Sequence, residues 1–317
     1  MKLSLLTSAA ALLLLSAGCR KLDVAVNSQY VGSNFPSTKG DYSAVIGPVY
    51  TQLSANYCTE YFRMQELSTD EAIIPARDGN YDDGGQYRQH HHHTWTPDHT
   101  NVISVWAWGF GGINTCNRVI SVFNASPLPA TDPSKIAALA EVKAMRALFY
   151  FYMLDLYGNV PIIDTFPVLT LPSTQTRAKV FQFIENDLKA VIPILPVKTS
   201  SNATATYGHP TRAMAFALLE KMYLNAEVYT GTARYPDAVA MADSILNSGS
   251  YSLDASFASV FAPDNGPQTQ ETIFAIPYDA LLIGGQQFTR HGLHPLLCPK
   301  FGVPSNMSIS MSTLPEF

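Results

Sequence analysis

Charge is scarce in this chain: Lys, Arg, Asp and Glu make up 14% of its 317 residues, against roughly 25% in an average soluble domain. The surface must therefore be built largely from Ser, Thr, Asn, Gln and Tyr, which suits hydrogen bonding and stacking with neutral polar ligands. The formal net charge is −5 and no basic run or basic helix is present. A nucleic-acid backbone is held by clustered Lys and Arg, so nucleic acid is excluded as a partner. Enzyme motifs are missing as well. There is no G-x-S-x-G nucleophile elbow, no H-E-x-x-H and no C-x-x-C, and the cluster of Gly109, Gly111 and Gly112 lacks the following Lys-Ser/Thr of a phosphate loop. Carboxylate pairs such as Glu66 with Asp70, or Asp82 with Asp83, occur in any chain. The sequence points to a binding protein and not to an enzyme.

Long apolar runs are also few, and the first of them is an export signal. Lys2 supplies the positive start, residues 3–15 the apolar stretch, and Ser16-Ala17-Gly18 the small-residue exit before Cys19. The stretch is too short to span a bilayer as a stable helix. Small residues directly before a cysteine resemble a lipobox, in which the Cys19 thiol is acylated and becomes the new N-terminus. The usual Leu three places before the cysteine is Ser16 here, with Leu15 one further back, so a plain signal-peptidase cut is the alternative. The polar Ser, Asn and Gly-rich stretch that follows, residues 19–40, reads as a tether. If Cys19 carries lipid, Cys58, Cys116 and Cys298 remain, an odd number. Cys58 and Cys116 lie in apolar helical segments and read as small buried hydrophobes, with a mutual bridge as the alternative.

Helices dominate the rest. Residues 140–161 are nearly all apolar, with Val142, Met145, Phe149, Met153 and Leu156 recurring at helical spacing and Leu148, Phe151 and Leu154 filling most other faces. Gly158 and Pro161 write the end of that helix. A first helix is expected over residues 41–64, interrupted by a kink at Gly47-Pro48. Another is expected over 101–123, a further amphipathic one over 177–196, and a close-packed pair over 211–253, where Ala213, Ala217, Ala238 and Ala242 let the two approach. Residues 271–278, ETIFAIPY, alternate enough to be a short strand.

Several stretches together resemble the SusD/RagB-like outer-membrane nutrient-binding lipoproteins. Arg146-Ala147, Tyr150, Phe151, Leu154, Tyr157-Gly158 and Val160-Pro161 form the most diagnostic of them. The others are Glu66 to Asp70, Ile113 with Asn117, Arg177 with Val180, Ile184, Asp187-Leu188 and Leu195-Pro196, and Glu271 with Ile273 and Phe274. The resemblance implies a mostly α fold, in which tetratricopeptide-like helix pairs form a right-handed superhelical scaffold carrying long irregular loops. It divides the chain into a signal peptide (1–18), a lipidated tether (19–40), a helical domain (41–275) and the start of an incomplete C-terminal region (276–317). It implies capture of oligosaccharides, less readily peptides, and delivery to a SusC-like TonB-dependent transporter from a lipid-anchored, surface-exposed position on the outer membrane. A protein-interaction scaffold of tetratricopeptide type is the rival reading.

The long segment from 74 to 100 shows no helical period and is longer than a connection requires. It holds Tyr81, Tyr87 and Trp95 among Asp, Asn and Gln, without apolar neighbours to bury them. Sugar rings offer a C–H face to aromatics and hydroxyls to amides and carboxylates, so Trp95 is the first ligand-contact candidate, with Tyr87 and Tyr81 behind it. Trp95 could instead cover a helix end. Two weaker patterns share the segment. His90-His91-His92-His93, with His99, invites a metal or a metal-dependent hydrolase, yet four adjacent imidazoles in an extended loop alternate sides, and a solvated run is the simpler reading. Asp78, Asn80 and Asp82 suggest a calcium loop, but Asp83 and Gln89 stand where such a loop needs Gly and Glu. No cofactor is assigned.

Overall fold

The computed structural model describes residues 35–76, 82–279, 281–285, 293, 295–302 and 312–313. Cys19, most of the tether, Asp78, Asn80 and Tyr81 lie outside the described residues. Helix α1 (Lys39–Asn56) opens with a reciprocal cap, in which the Thr38 hydroxyl accepts from Asp41 N–H and the Asp41 carboxylate accepts from Thr38 N–H. It continues helically through Pro48 instead of being interrupted there. The departure from α geometry comes later, in a π-turn (Tyr57–Tyr61) that leads into α2 (Phe62–Glu66). A two-residue strand β1 (Ala72–Ile73) pairs antiparallel with β2 (Ser312–Thr313). Between them in sequence come α3 (Gln86–His91), α4 (Thr100–Ala125), α5 (Pro133–Tyr157), α6 (Arg177–Val191), α7 (Ala203–Thr206), α8 (Arg212–Leu224), α9 (Ala226–Thr230), α10 (Tyr235–Leu246) and α11 (Phe257–Val260).

The helices pack in sequence neighbours, α1 on α4, α4 on α5, α5 on α6, and α8 on α10. This is the expected mostly α, tetratricopeptide-like arrangement. Helix α5 is the centre of it, with Val142, Met145, Phe149, Tyr150, Met153 and Leu154 all fully buried. It starts earlier than its apolar run. The Asp132 carboxylate accepts from the N–H of Ser134 and Lys135, and Pro133 takes the first helical position, where its missing N–H costs nothing. Helix α4 carries three glycines without a break because they face its neighbours. A Cβ at Gly109 would lie 2.2 Å from Met153 Cε, and one at Gly112 2.4 Å from the Phe149 ring.

Three residues that carried the family resemblance meet inside this packing. The Arg146 guanidinium donates twice to Asp187 Oδ2, at 3.0 and 2.6 Å, and once to Asn117 Oδ1 at 2.8 Å. The Asn117 amide in turn donates to the Ile163 carbonyl at 2.8 Å, which also accepts from the Tyr150 hydroxyl at 3.0 Å. Helices α4, α5 and α6 and the turn after Pro161 are thus joined by one buried polar network. Gly158, at φ +73°, lets the Arg177 side chain pass where a Cβ would stand 2.2 Å from its Nε. Arg146, Asn117, Asp187, Gly158 and Arg177 thus hold the scaffold together.

One expectation is corrected and one is borne out. Residues 271–278 are extended but form no strand; the bridge at Asp279 and Ile283 is the nearest ladder contact among the described residues. Alternation supplies the right local conformation, but a strand also needs a partner edge. Cys58 and Cys116 are buried and unbridged, and burial pushes both thiols up.

Candidate functional site

The segment expected to be a long irregular loop is folded by a small apolar cluster of its own. Tyr87 packs with Leu67, Ala72 and Ile74, all buried, and the Arg63 guanidinium lies 5.7 Å from its ring. That corrects the expectation that Tyr87 has no apolar neighbours: its ring is buried, and its hydroxyl is pushed up to about 12, chiefly by that burial. With Tyr87 as anchor, residues 86–91 wind into α3, entered through Gly84 and Gly85 in left-handed conformation. The histidine run is therefore the end of a helix and not an extended loop. His90 turns inward, while His92 and His93 are exposed. Among the described residues no group of three or more His, Cys, Asp or Glu is placed to hold a metal. Asp82 is engaged by Arg88 at 2.7 Å.

Three imidazoles act as structure beside Trp95. His99 precedes α4, and its Nδ1 accepts from Asn101 N–H at 3.2 Å, which places the proton on Nε2, the atom that meets the Gln86 carbonyl at 3.1 Å. His90 stacks edge-on to His99 at 4.4 Å and lies 5.8 Å from the Trp95 ring. Burial, and after it the neighbouring His99, lowers the His90 imidazole to about 4, so it is neutral at physiological pH. His93 Nε2 donates to the Ser68 carbonyl at 2.7 Å, and its ring meets Trp95 edge-on at 5.3 Å. The Asn101 amide completes the brace by donating to the Glu60 carbonyl at 2.9 Å and the Glu60 carboxylate at 2.7 Å. Trp95 itself keeps 41% of its surface exposed. Sequence reasoning missed Glu60, His99 and Asn101 as supports, because their contacts join the π-turn to the start of α4 across some forty residues of chain. Trp108 is buried, as a core reading of its helical position implies, but Trp106 is not: its ring lies tilted 4.5 Å from Phe110 and keeps 38% of its surface exposed, which corrects the core reading for that residue.

A second polar group lines the groove between α1 and α5. The Tyr50 hydroxyl donates to Glu141, and His209 Nδ1 lies 2.9 Å from the same carboxylate oxygen. The hydrogen bond to Glu141 raises the His209 pKa. A raised folded-state value means that the pair's contribution to stability is present below the unfolded pKa of about 6.5 and is lost as pH rises through the folded value. Since half of the His209 side chain is exposed, the effect is small. His209→Gln is expected to lower the melting temperature slightly at pH 5.5 and not at pH 9, read from thermal unfolding of both proteins across that range.

The model of a SusD-like family, described as starch-binding and associating with outer membrane, matches residues 26–224. The chain belongs to this SusD-like family. The starch-binding protein SusD of Bacteroides thetaiotaomicron is 28% identical over 184 residues, 56% of this chain and 32% of that protein. SusD-like protein P2 of Formosa agariphila is 25% identical over 84% of this chain and 51% of its own length. Among solved structures, a surface glycan-binding protein A from Bacteroides thetaiotaomicron, in complex with laminarihexaose, superposes with a TM-score of 0.62 at 23% identity. That match covers 77% of this chain and 50% of the other. The SusD-like chain thus spans about a third to a half of the curated relatives it matches. Among its described residues no helix is long and apolar enough to cross a membrane.

Proposed function

We propose that this chain captures oligosaccharides at the outer surface of the cell, and that Trp95 is a contact of its ligand platform. Trp95 carries the reading: a large aromatic that keeps two-fifths of its surface in water while His90 and His93 flank its ring and His90 in turn rests on His99. Holding an exposed indole rigid has no use for folding and clear use for binding, since little conformational freedom is lost when a sugar ring stacks on it. Starch and laminarihexaose, the glycans named for relatives, support the ligand class. The protein binds without chemical change, and peptides are the lesser alternative ligand. Acylation of Cys19 anchors it through the 19–40 tether, and a SusC-like TonB-dependent transporter receives the glycan. Moderate affinity serves that task, because release into the transporter must follow capture.

The test is calorimetric titration with a panel of oligosaccharides that includes laminarihexaose and maltohexaose. Trp95→Ala is expected to weaken binding about tenfold, the equivalent of roughly 1.4 kcal/mol, while leaving the melting temperature nearly unchanged. Binding of equal strength in the variant removes Trp95 from the site, and absence of any glycan binding removes the function.

A further inference from the structure

The extended segment that failed to become a strand borders a cavity of about 960 Å³, within the range of ligand sites. Tyr57 from the π-turn, Tyr152 from α5, Tyr207 after α7, and Phe274 and Tyr278 from the segment itself supply aromatic walls, and Asn265 a polar one. Among the described lining residues there is no Lys, Arg or His, and Asp279 is the one carboxylate. Such a wall matches a neutral ligand better than an ion.

The segment is pinned at both ends and unpaired between them. At one end the Asp254 carboxylate accepts from the N–H of Gln270 and Glu271, at 3.0 and 3.2 Å, and the Lys198 ammonium donates to the Thr269 carbonyl at 3.2 Å. At the other, the Tyr278 hydroxyl donates to the Ser54 carbonyl at 2.8 Å, and Pro277 lies so close to Gly208 that a Cβ there would stand 2.7 Å from Pro277 Cγ. Residues 272–278 are half-buried, yet they make no backbone-to-backbone hydrogen bond among the described residues. Amides and carbonyls that line a cleft without protein partners are open to water or to a ligand's hydroxyls. The α1 helix also departs into its π-turn at this wall, a distortion frequent at functional sites.

We propose that this cavity is a second ligand site, separate from Trp95, which takes a neutral oligosaccharide segment. The half-buried rings of Tyr57, Tyr207 and Tyr278 receive the C–H faces of the sugars, over the buried Tyr152, and the N–H and C=O groups of 272–278 receive their hydroxyls. Glycan as the ligand class rests on the function proposed above; the site itself rests on the cavity and the unpaired backbone. A polypeptide strand added to the same edge is the less suited occupant, since Pro277 removes a ladder donor and tyrosines line the space.

Amide hydrogen exchange on the full chain, with saturating laminarihexaose or maltohexaose, tests this. Exchange at residues 273–276 is expected to slow at least tenfold, in the wild type and equally in Trp95→Ala. Tyr207→Ala and, as a variant at an exposed position, Asn265→Ala are expected to raise the glycan concentration needed for that protection about tenfold. Protection confined to residues 86–99 overturns the second site and leaves the Trp95 platform standing. No protection at either place overturns both. Protection of 273–276 by an extended peptide and by neither glycan overturns the ligand class.

Discussion

Arg146→Met is expected to destabilise the protein by about 3–5 kcal/mol, the cost typical of removing one member of a buried ion pair. The size follows from what is left behind. Arg146 is 5% exposed and satisfies both the Asp187 carboxylate and the Asn117 side-chain oxygen. Without it, the largely buried Asp187 carboxylate remains with no cation, and Asn117 loses a charged donor while still held to Ile163. For a chain of this size the midpoint of thermal unfolding should fall by on the order of 10 °C. The double variant Arg146→Met, Asp187→Leu should recover part of the loss, because no uncompensated charge is then buried. A single variant within 1 kcal/mol of wild type in urea unfolding would show that the network contributes little, and that α4, α5 and α6 are held by apolar packing alone.

The same residues show how far the sequence could be read. Arg146, Asn117 and Asp187 stand out as motif positions, but nothing local says that they touch; 29 and 41 residues separate the pairs. Helices α4, α5, α6 and α8 were legible because each repeats its apolar residues at the helical period, and that periodicity reflects a local requirement to bury one face. Helix α3 was not legible. Its anchor, Tyr87, is buried by Leu67, Ala72 and Ile74, which precede the polar stretch around it, so local composition made that stretch look solvated. The expected strand failed for a related reason: its residues have the alternation, but pairing depends on an edge elsewhere. Of the site, Trp95 could be singled out as an aromatic among polar neighbours. Its supports could not, since His99 invites a metal reading and Asn101 reads as an ordinary residue at the start of a helix until Gln86 and Glu60 are brought against them. Tertiary partners decide what propensity leaves open.

Glycine placement along the helices leads to an expected contrast in stability. Gly112→Ala should cost about 1–3 kcal/mol, the usual range for forcing an extra methyl into a filled core. The new Cβ would stand 2.4 Å from Phe149 Cε1 and Cζ. Phe149 is fully buried and its ring meets Trp108 edge-on at 5.6 Å, so the ring has no free space to enter and α4 must move away from α5. Gly109→Ala is the intermediate case. Its Cβ would meet the end of the Met153 thioether at 2.2 Å, a flexible group that can change rotamer at smaller cost. Gly47→Ala is the opposite case, with no atom within 4 Å of the added carbon. There only the helical preference of Ala over Gly remains, and a gain of about 0.5–1 kcal/mol is expected. Urea unfolding of the three variants reads the order directly. A Gly112→Ala protein as stable as wild type would mean that α4 and α5 are not packed as closely as their glycines imply, and that the Phe149 ring has room to shift.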